Sequence, residues 1–437
     1  MICLSGNENT LEKLICRIKS NSDYINEVRL DLLDNITDNL PEQLIPWKSR
    51  LIITHRSNDF IQSLALLEIF SKLDYFLIDI ELEKFLSETV FIENHFSPQE
   101  IMISYHGNIS NLNSITDLLL KFRGYRFKFA VNAQSVQEYQ NLLALSGLFP
   151  DSVLIATGKS GLFTRLRYRD YNSYMTYLST SKESSTDSGQ IDLALALQSR
   201  INITGLKPVF LFGGNQISKS PGMKIYNKLF TDSGLELCYI NHVCKEGFNP
   251  VEFLEFTGSP GASVTMPHKK DFLRFCHELD ISAEKAGSVN TIVNINNVFI
   301  GYNTDYLAFI DIFSTLKFNQ VVIAGDGATS HCAVSALNNI GVIDDIVIVS
   351  RKTDLSKLCL DTSTLFINTI PVGVNVPEHP FSLLPKAMDS ILLDLDYTNN
   401  FTSNKYSIFI SGLDFWKIQG SFQMSIISGK LFRPEDL

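Results

Sequence analysis

Two lysines stand in settings that ask different chemistry of them. Lys128 lies in the apolar, β-like run RFKFAV, and burial there strips hydration and lowers the pKa toward the free amine that attacks a carbonyl. Lys269 closes SVTMPHK after a Thr-x-Pro turn, with Asp305 available downstream in GYNTD. It reads as a charged, hydrogen-bonding lysine beside a carboxylate, so two separate catalytic centres are expected. Around the first, Glu27, Arg29 and Asp31 of INEVRLD share one strand face through the period-two alternation of a strand. Three charges on one face are costly unless they pair or meet a ligand, and both readings stand. Thr54 and Arg56 end LIITHR, and Ser104 and His106 share a face in IMISYHG. A lone histidine of that kind is more often structural. In combination, Glu27, Arg29, Arg56, His106 and Lys128 sit on β-like runs or at their C-terminal ends, where barrel enzymes build their sites.

The elements that must position these residues recur evenly. β-like runs start at 1, 25, 51, 76, 101, 126 and 152, with a weaker eighth near YMTYLST. A spacing of roughly 25 residues leaves room for a strand, a helix and two short loops, the unit of a (β/α)8 barrel. SLALLEIFSKL and SITDLLLKF carry apolar residues at spacings of three and four, as helices covering a sheet do. After LKPVF a second series begins with PVFLFGG, LCYINHV, GASVTMP, TIVNINN, QVVIAGDG, DIVIVSR, TLFINTI and ILLDLD, which predicts a second, mostly parallel α/β sheet. The polar stretch SKESSTDSG at 181 to 189 reads as a linker by composition.

With 437 residues the chain exceeds one ordinary core. It is 45% apolar and 19% charged, and no apolar run approaches the roughly 18 residues of a membrane span, so no membrane role is expected. A net charge of −10 without a basic block disfavours nucleic acid. Seven scattered cysteines and no C-x-x-C pair predict reduced thiols and no metal site. The start lacks a basic and then apolar leader, so the cytoplasm is the expected location.

Residues 1 to about 203 resemble the type I 3-dehydroquinate dehydratases. The resemblance rests on EVRLD, Thr54 to Arg56 as T-x-R, D-I-E-L before I-M-I-S-Y-H, Lys128, G-K-S-G-x-x-T-R ending in Arg165, and S-G-Q ending in Gln190. It implies a TIM barrel in which Lys128 forms a Schiff base with the substrate ketone, His106 moves protons and Arg165 binds the substrate carboxylate. Ser5, Glu27, Arg29, Arg56, Thr186 and Gln190 match polar groups around the ring. The match places the cut between halves near Gly205, after SKESSTDSG. Three departures stand out: Gly107 follows the histidine where the family has Asp or Asn, the glutamate expected after T-x-R is missing from SNDF, and Thr186 replaces a serine.

Residues from about 206 onward resemble shikimate dehydrogenase, a two-lobed enzyme. The implied substrate lobe covers 206–305, completed by about 410–437, and a Rossmann lobe covers 306–409. GNQISKSPGMKIYN gives Ser218 and Ser220, with Tyr226 in place of a histidine. SVTMPHK gives Thr265 and Lys269, with Ser263 for asparagine, while AGSVNTI gives Asn290 and GYNTD gives Asp305. Lys269 and Asp305 are the implied catalytic pair, and Tyr397 of D-x-x-Y and Gln419 of Q-x-x-x-Q are implied substrate contacts.

For the cofactor, GDGATS follows the strand QVVIA as a phosphate-cradling turn must. It supplies Gly325, Gly327, Ala328 in place of a third glycine, and Thr329. DIVIVSRK lacks the acid that accepts a ribose hydroxyl and ends in Ser350, Arg351 and Lys352, which favours NADP(H) over NAD. Asn368 and Gly373 resemble the segment closing over the cofactor, and Gly412 is a further implied cofactor contact. Since the first activity makes the substrate of the second, the resemblances together imply one chain that turns 3-dehydroquinate into 3-dehydroshikimate and then shikimate. The alternatives are a dehydrogenase carrying an impaired dehydratase, and a non-catalytic sensor of these metabolites. The oligomeric state is left open.

Overall fold

A computed structural model describes residues 1–437 except 38, 57–59, 343–344, 351–352, 354–357, 362, 371–380, 382–388 and 397–405. By internal contacts the chain divides into a unit of residues 1–206 with 217–248 and a unit of residues 207–216 with 249–437.

The first unit carries eight parallel strands: β1 (Ile2–Ser5), β2 (Ile25–Arg29), β3 (Leu51–Thr54), β4 (Leu77–Glu81), β5 (Ile101–Asn108), β6 (Arg126–Asn132), β7 (Val153–Ala156) and β8 (Thr176–Ser179). They pair in the order β7-β6-β5-β4-β3-β2-β1-β8, a nearly closed barrel whose open seam lies between β7 and β8. At that seam the backbone of β7 is satisfied differently. Leu154 N donates to Ser173 Oγ at 2.9 Å and Ala156 N to Thr164 Oγ1 at 3.1 Å. Tyr174 N donates to Ser152 O at 2.8 Å, just ahead of β8. Alternation along the strands sends Cys3, Ile25, Ile52, Leu77, Met102 and Val153 into one buried layer. Each such apolar side chain contributes about 1.5–3 kcal/mol on full burial, and above this apolar floor the next inward positions are Glu27, Asp79, Ser104 and Lys128. In-register pairs set their heights, with Thr54 opposite Asp79 and Ser104 opposite Lys128.

Helices form where the spacing of three and four predicts them, at Phe60–Lys72 and Leu112–Leu119. Helix Val136–Leu148 starts at a capping box formed by Ser135 and Glu138, which satisfies orphan N–H groups of the first turn. Asp31, expected on the strand face with Glu27 and Arg29, falls instead in the 3-10 turn Leu30–Leu32. There it takes the Arg29 guanidinium at 2.9 and 2.6 Å.

The next two strands, β9 (Lys207–Gly213) and β10 (Leu237–Val243), belong to the second and first units respectively. In the first unit, Asn227 ties helix Gly222–Asp232 to β10, donating to Tyr239 O and accepting from Tyr239 N, both at 2.8 Å.

The second unit holds two sheets. In one, β9 pairs with β11 (Gly261–Val264) in parallel, β11 with β13 (Thr291–Ile295) and β13 with β14 (Val298–Tyr302) antiparallel, and β14 with β12 (Glu278–Leu279) in parallel. Asn296 and Asn297 turn the β13–β14 hairpin with φ of 54° and 66°, a left-handed pair that suits a two-residue turn. The hairpin therefore adds antiparallel pairing to a sheet that sequence alternation reads as mostly parallel. The other sheet, fully parallel, runs β16 (Ile346–Val349), β15 (Gln320–Ala324), β17 (Thr364–Asn368), β18 (Ile391–Asp394), β19 (Ile408–Ile410). Helices Thr304–Thr315 and Ala328–Asn339 share its buried apolar cluster through Phe309, Phe313, Ala333 and Leu337. Among the described residues no helix is long and apolar enough to cross a membrane.

Candidate active sites

The C-terminal ends of the barrel strands surround a cavity of about 360 Å³ lined by Ser5, Glu27, Arg29, Arg56, His106, Lys128, Arg165, Thr186 and Gln190. These nine, from segments up to 185 positions apart, are the barrel residues to which the family resemblance gave a role, whereas Asp31, Thr54 and Ser104 do not line the space. Lys128 is 3% exposed and stands 4.6 Å from the centre of the Tyr177 ring. Its surroundings are not the apolar shell that RFKFAV suggests. The ammonium pairs with Asp79, whose side chain is fully buried, and lies 3.9 Å from Glu27 Oε1. The reason is alternation: an apolar strand segment still presents its inward residues to whatever the neighbouring strands turn inward. Burial would push the Asp79 carboxyl up, but Lys128 and Arg56 outweigh it and hold the group below the usual carboxylate range.

His106 sits exposed at the barrel mouth with Arg56 NH2 3.1 Å from its Nε2. Partial burial together with the charges of Lys128 and Arg56 lowers its pKa to about 3. Because the ring keeps an exposed edge, the neighbouring cations are the firmer cause, and they leave a neutral imidazole. Arg56 is also 3.9 Å from Glu81 Oε1. Gly107 has a local explanation, since a Cβ there would lie 2.4 Å from the Tyr105 hydroxyl. The tyrosine, which donates to Asn108 O, takes the space of a side chain at 107.

Segment 180–190, read by composition as a linker, folds over this end. Gln190 Nε2 donates to Ser5 Oγ at 2.7 Å, and its Oε1 accepts from Thr186 N and Thr186 Oγ1 at 2.8 and 3.1 Å. Arg165, 4% exposed, donates to Tyr177 O at 3.1 Å and to Asp187 Oδ2 at 2.6 Å. Asp79, Tyr177 and Asp187 are cavity or lysine neighbours that the sequence did not single out. Asp79 was findable, because in FLIDIEL it shares the inward face with Glu81.

In the second unit, Lys269 Nζ lies 2.6 Å from Asp305 Oδ2. Burial alone would lower the lysine, and the carboxylate more than reverses this, so its pKa is raised. Asp305 is carried by the first turn of helix Thr304–Thr315, which Asn303 caps by accepting from Tyr306 N. Asn290 Oδ1 accepts from Thr304 N at 2.8 Å, and Thr304 Oγ1 donates to Gln419 Oε1 at 3.1 Å. Gln423 Nε2 holds Asn290 O and Thr291 Oγ1, and Ser263 Oγ donates to Gln423 Oε1 at 2.8 Å. Ser263 thus works through the glutamine of the C-terminal helix. Thr265 N donates to Phe212 O at the end of β9, placing its residue at the turn before Lys269. Ser218 and Ser220 fall in the first unit, where Ser220 Oγ accepts from Gly222 N. Tyr226 is buried there.

Gly325 follows β15 with φ of 108°, and a Cβ on it would lie 2.3 Å from Thr369 Oγ1. At Gly327 a Cβ would meet nothing within 4 Å. Helix Ala328–Asn339 starts there, with His331 N donating to Gly327 O. Ala328 and Thr329 occupy its first turn, whose N–H groups and positive dipole end suit a phosphate. The turn therefore fits a dinucleotide, with space above Gly327 and a glycine where backbone demands one. Ser350 N donates to Thr353 Oγ1 just beyond β16, Asn368 is buried and donates to Asp394 Oδ1 at 2.8 Å, and Gly412 opens helix Gly412–Ser428 behind the Ser411 cap. Arg351, Lys352, Gly373 and Tyr397 lie outside the described residues.

Two family models match separate parts of the chain. Residues 2–202 match the family model for type I 3-dehydroquinase, and residues 212–292 match that for the shikimate dehydrogenase substrate binding domain. A shikimate dehydrogenase (NADP(+)) of Clostridium beijerinckii is 30% identical over 201 residues, covering 44% of this chain and 74% of the relative. One from Clostridium botulinum is 28% identical over 210 residues, covering 42% and 80%. A solved structure described as the dehydroquinate dehydratase and shikimate dehydrogenase from S. pombe spans 99% of this chain and 96% of its own. At 20% identity and a TM-score of 0.44, that likeness is too loose to decide anything.

Proposed function

Because the chain belongs to the shikimate dehydrogenase family over its second half and carries a type I 3-dehydroquinase domain over its first, we propose that its two centres catalyse successive reactions. The first dehydrates 3-dehydroquinate to 3-dehydroshikimate through an imine on Lys128. The second reduces 3-dehydroshikimate to shikimate with NADPH. The observation that carries the reading is the single barrel cavity that gathers a buried lysine, a neutral histidine and a buried arginine from three distant segments.

In the barrel, the Lys128 amine adds to the substrate ketone and water leaves, giving an iminium that draws electrons from the adjacent carbon. Neutral His106 takes the proton from that carbon, and the β-hydroxyl departs with a proton as water. Hydrolysis of the product imine frees Lys128 again. Asp79 pairs the ammonium at rest. Arg165 receives the substrate carboxylate, and Ser5, Thr186, Gln190, Glu27, Arg29 and Arg56 surround the ring.

In the second centre, Lys269 stabilises the negative charge that develops on the substrate oxygen, and Asp305 holds the lysine and orients that oxygen. Thr265, Asn290, Gln419 and Tyr397 bind the substrate ring. NADPH, when bound, supplies the hydride. The Gly325–Thr329 turn would hold its diphosphate and Ser350, Arg351 and Lys352 its 2′-phosphate, with Asn368 and Gly412 as further contacts. The NADP(+) of the relatives' names supports this choice, and seven cysteines without disulfides suit the cytoplasm. The test is to supply 3-dehydroquinate with NADPH, following enone absorbance and NADPH oxidation together. Borohydride reduction should leave an adduct on Lys128, and an adduct on another lysine would sink the assignment.

A further inference from the structure

Arg165 and Asp187 form an ion pair that the reaction does not call for. The arginine is buried in the cavity wall, and a buried cation without a counter-charge is costly. Asp187 supplies that charge from segment 180–190, reaching Arg165 NH2 with Oδ2 at 2.6 Å. The same carboxylate accepts from Gly158 N at 3.3 and 3.4 Å, which anchors the segment to the loop after β7. The approach is close enough that a Cβ on Gly189 would lie 2.0 Å from Gly158 O. Yet the pair is incomplete: Asp187 meets only one guanidinium nitrogen, NH1 serves Tyr177 O, and the buried Nε has no partner among the described residues. A planar carboxylate that takes two nitrogens is the stronger ligand for this fork.

We propose that Asp187 is an internal stand-in for the substrate carboxylate, a specificity-determining residue that neutralises Arg165 in the empty barrel and must be displaced for 3-dehydroquinate to bind. This rests on the reading that Arg165 takes the substrate carboxylate. Displacement also releases Gly158 N, so loading the arginine and unlatching segment 180–190 are one event. Only a ligand with its own carboxylate restores the charge balance, and the site thereby rejects neutral ring analogues.

Replacing Asp187 with Asn keeps the shape and removes the charge. Arg165 then lacks a counter-ion until substrate arrives, so the KM for 3-dehydroquinate should fall by roughly tenfold, the size of one charge-assisted hydrogen bond. The ligand-free protein should melt lower than wild type and recover with saturating substrate. A KM that rises or stays put overturns the proposal and makes Asp187 a residue that merely positions Arg165. Independently of any variant, a crystal structure of the wild-type chain trapped with substrate and borohydride should show the Asp187 carboxylate away from Arg165. Persistence of the pair in that complex overturns the proposal as well. Failure of the underlying reading looks different: the carboxylate of the trapped substrate would then lie away from Arg165, or the wild-type chain would not dehydrate 3-dehydroquinate at all.

Discussion

Both centres set a lysine against an aspartate, and the two pairs are built differently. Lys128 and Asp79 face each other from two strands of one barrel, with side chains 3% and 0% exposed. Lys269 and Asp305 meet across a turn and a helix start, at 18% and 11%. The barrel pair is crowded by Glu27, Arg56 and the Tyr177 ring. In the second pair Asp305 is the charge that raises the lysine, and the two are held as an ion pair. Under the proposed function the contrast follows the chemistry: a nucleophile must cycle between charged and neutral forms, whereas an electrostatic clamp is most useful when its charge never changes.

That contrast breaks most sharply at the nucleophile. Lys128→Ala should lower dehydration of 3-dehydroquinate by about 10³-fold or more, because no other group replaces a covalent step. NADPH oxidation on added 3-dehydroshikimate should persist in the same preparation, and joint loss of both activities would contradict two independent centres. Lys269→Met should do the reverse, with kcat for reduction down about 10²- to 10³-fold, the range for removing one group that stabilises transition-state charge. Dehydration followed by enone absorbance should be unaffected.

Arg351→Gln probes the cofactor side of the comparison. A lost phosphate contact worth about 1.5–3 kcal/mol raises the KM for NADPH roughly ten- to a hundredfold and leaves NADH nearly unchanged. Equal use of both cofactors by the wild-type enzyme would refute it. The smallest effect is a pH profile. With the His106 pKa lowered to about 3, the base stays neutral well below the ordinary histidine midpoint near 6.5. Dehydratase kcat/KM should therefore show no acid limb centred near that midpoint. The linkage has the matching sign. Between about 3 and the unfolded value the unfolded chain binds the extra proton, so this residue's contribution to stability falls as pH drops through that window. A His106→Asn variant should lose that part of the pH dependence in urea melts.

The barrel was legible because its runs recur at an even spacing and each carries inward polar residues at period two. The eighth strand was the faint one: it spans four residues, and YMTYLST carries tyrosines and hydroxyls in place of the aliphatic run that marks the others. Asp187 stayed hidden inside a polar stretch whose composition suits solvent as well as a ligand. Its meaning lies in Arg165, 22 positions away in sequence, which no local pattern exposes. In the second unit the β13–β14 hairpin hid behind NINN, where an Asn-Asn turn lacks the glycine that marks most two-residue turns. The phosphate turn, by contrast, was readable from Gly325 because a left-handed φ leaves glycine little competition there.

The seam between β7 and β8 sets where the barrel yields. Ladder bonds along a strand break together, whereas the hydroxyls of Ser173 and Thr164 that hold Leu154 N and Ala156 N can let go one at a time by rotating a single side chain. Amide exchange should therefore begin along this line, ahead of the seven paired boundaries. A ring of strands with one such zip line is mechanically a split cylinder, stiff against twisting at its floor and compliant at one edge of its rim. The compliant edge is the one whose strand runs directly on into the latch of Asp187.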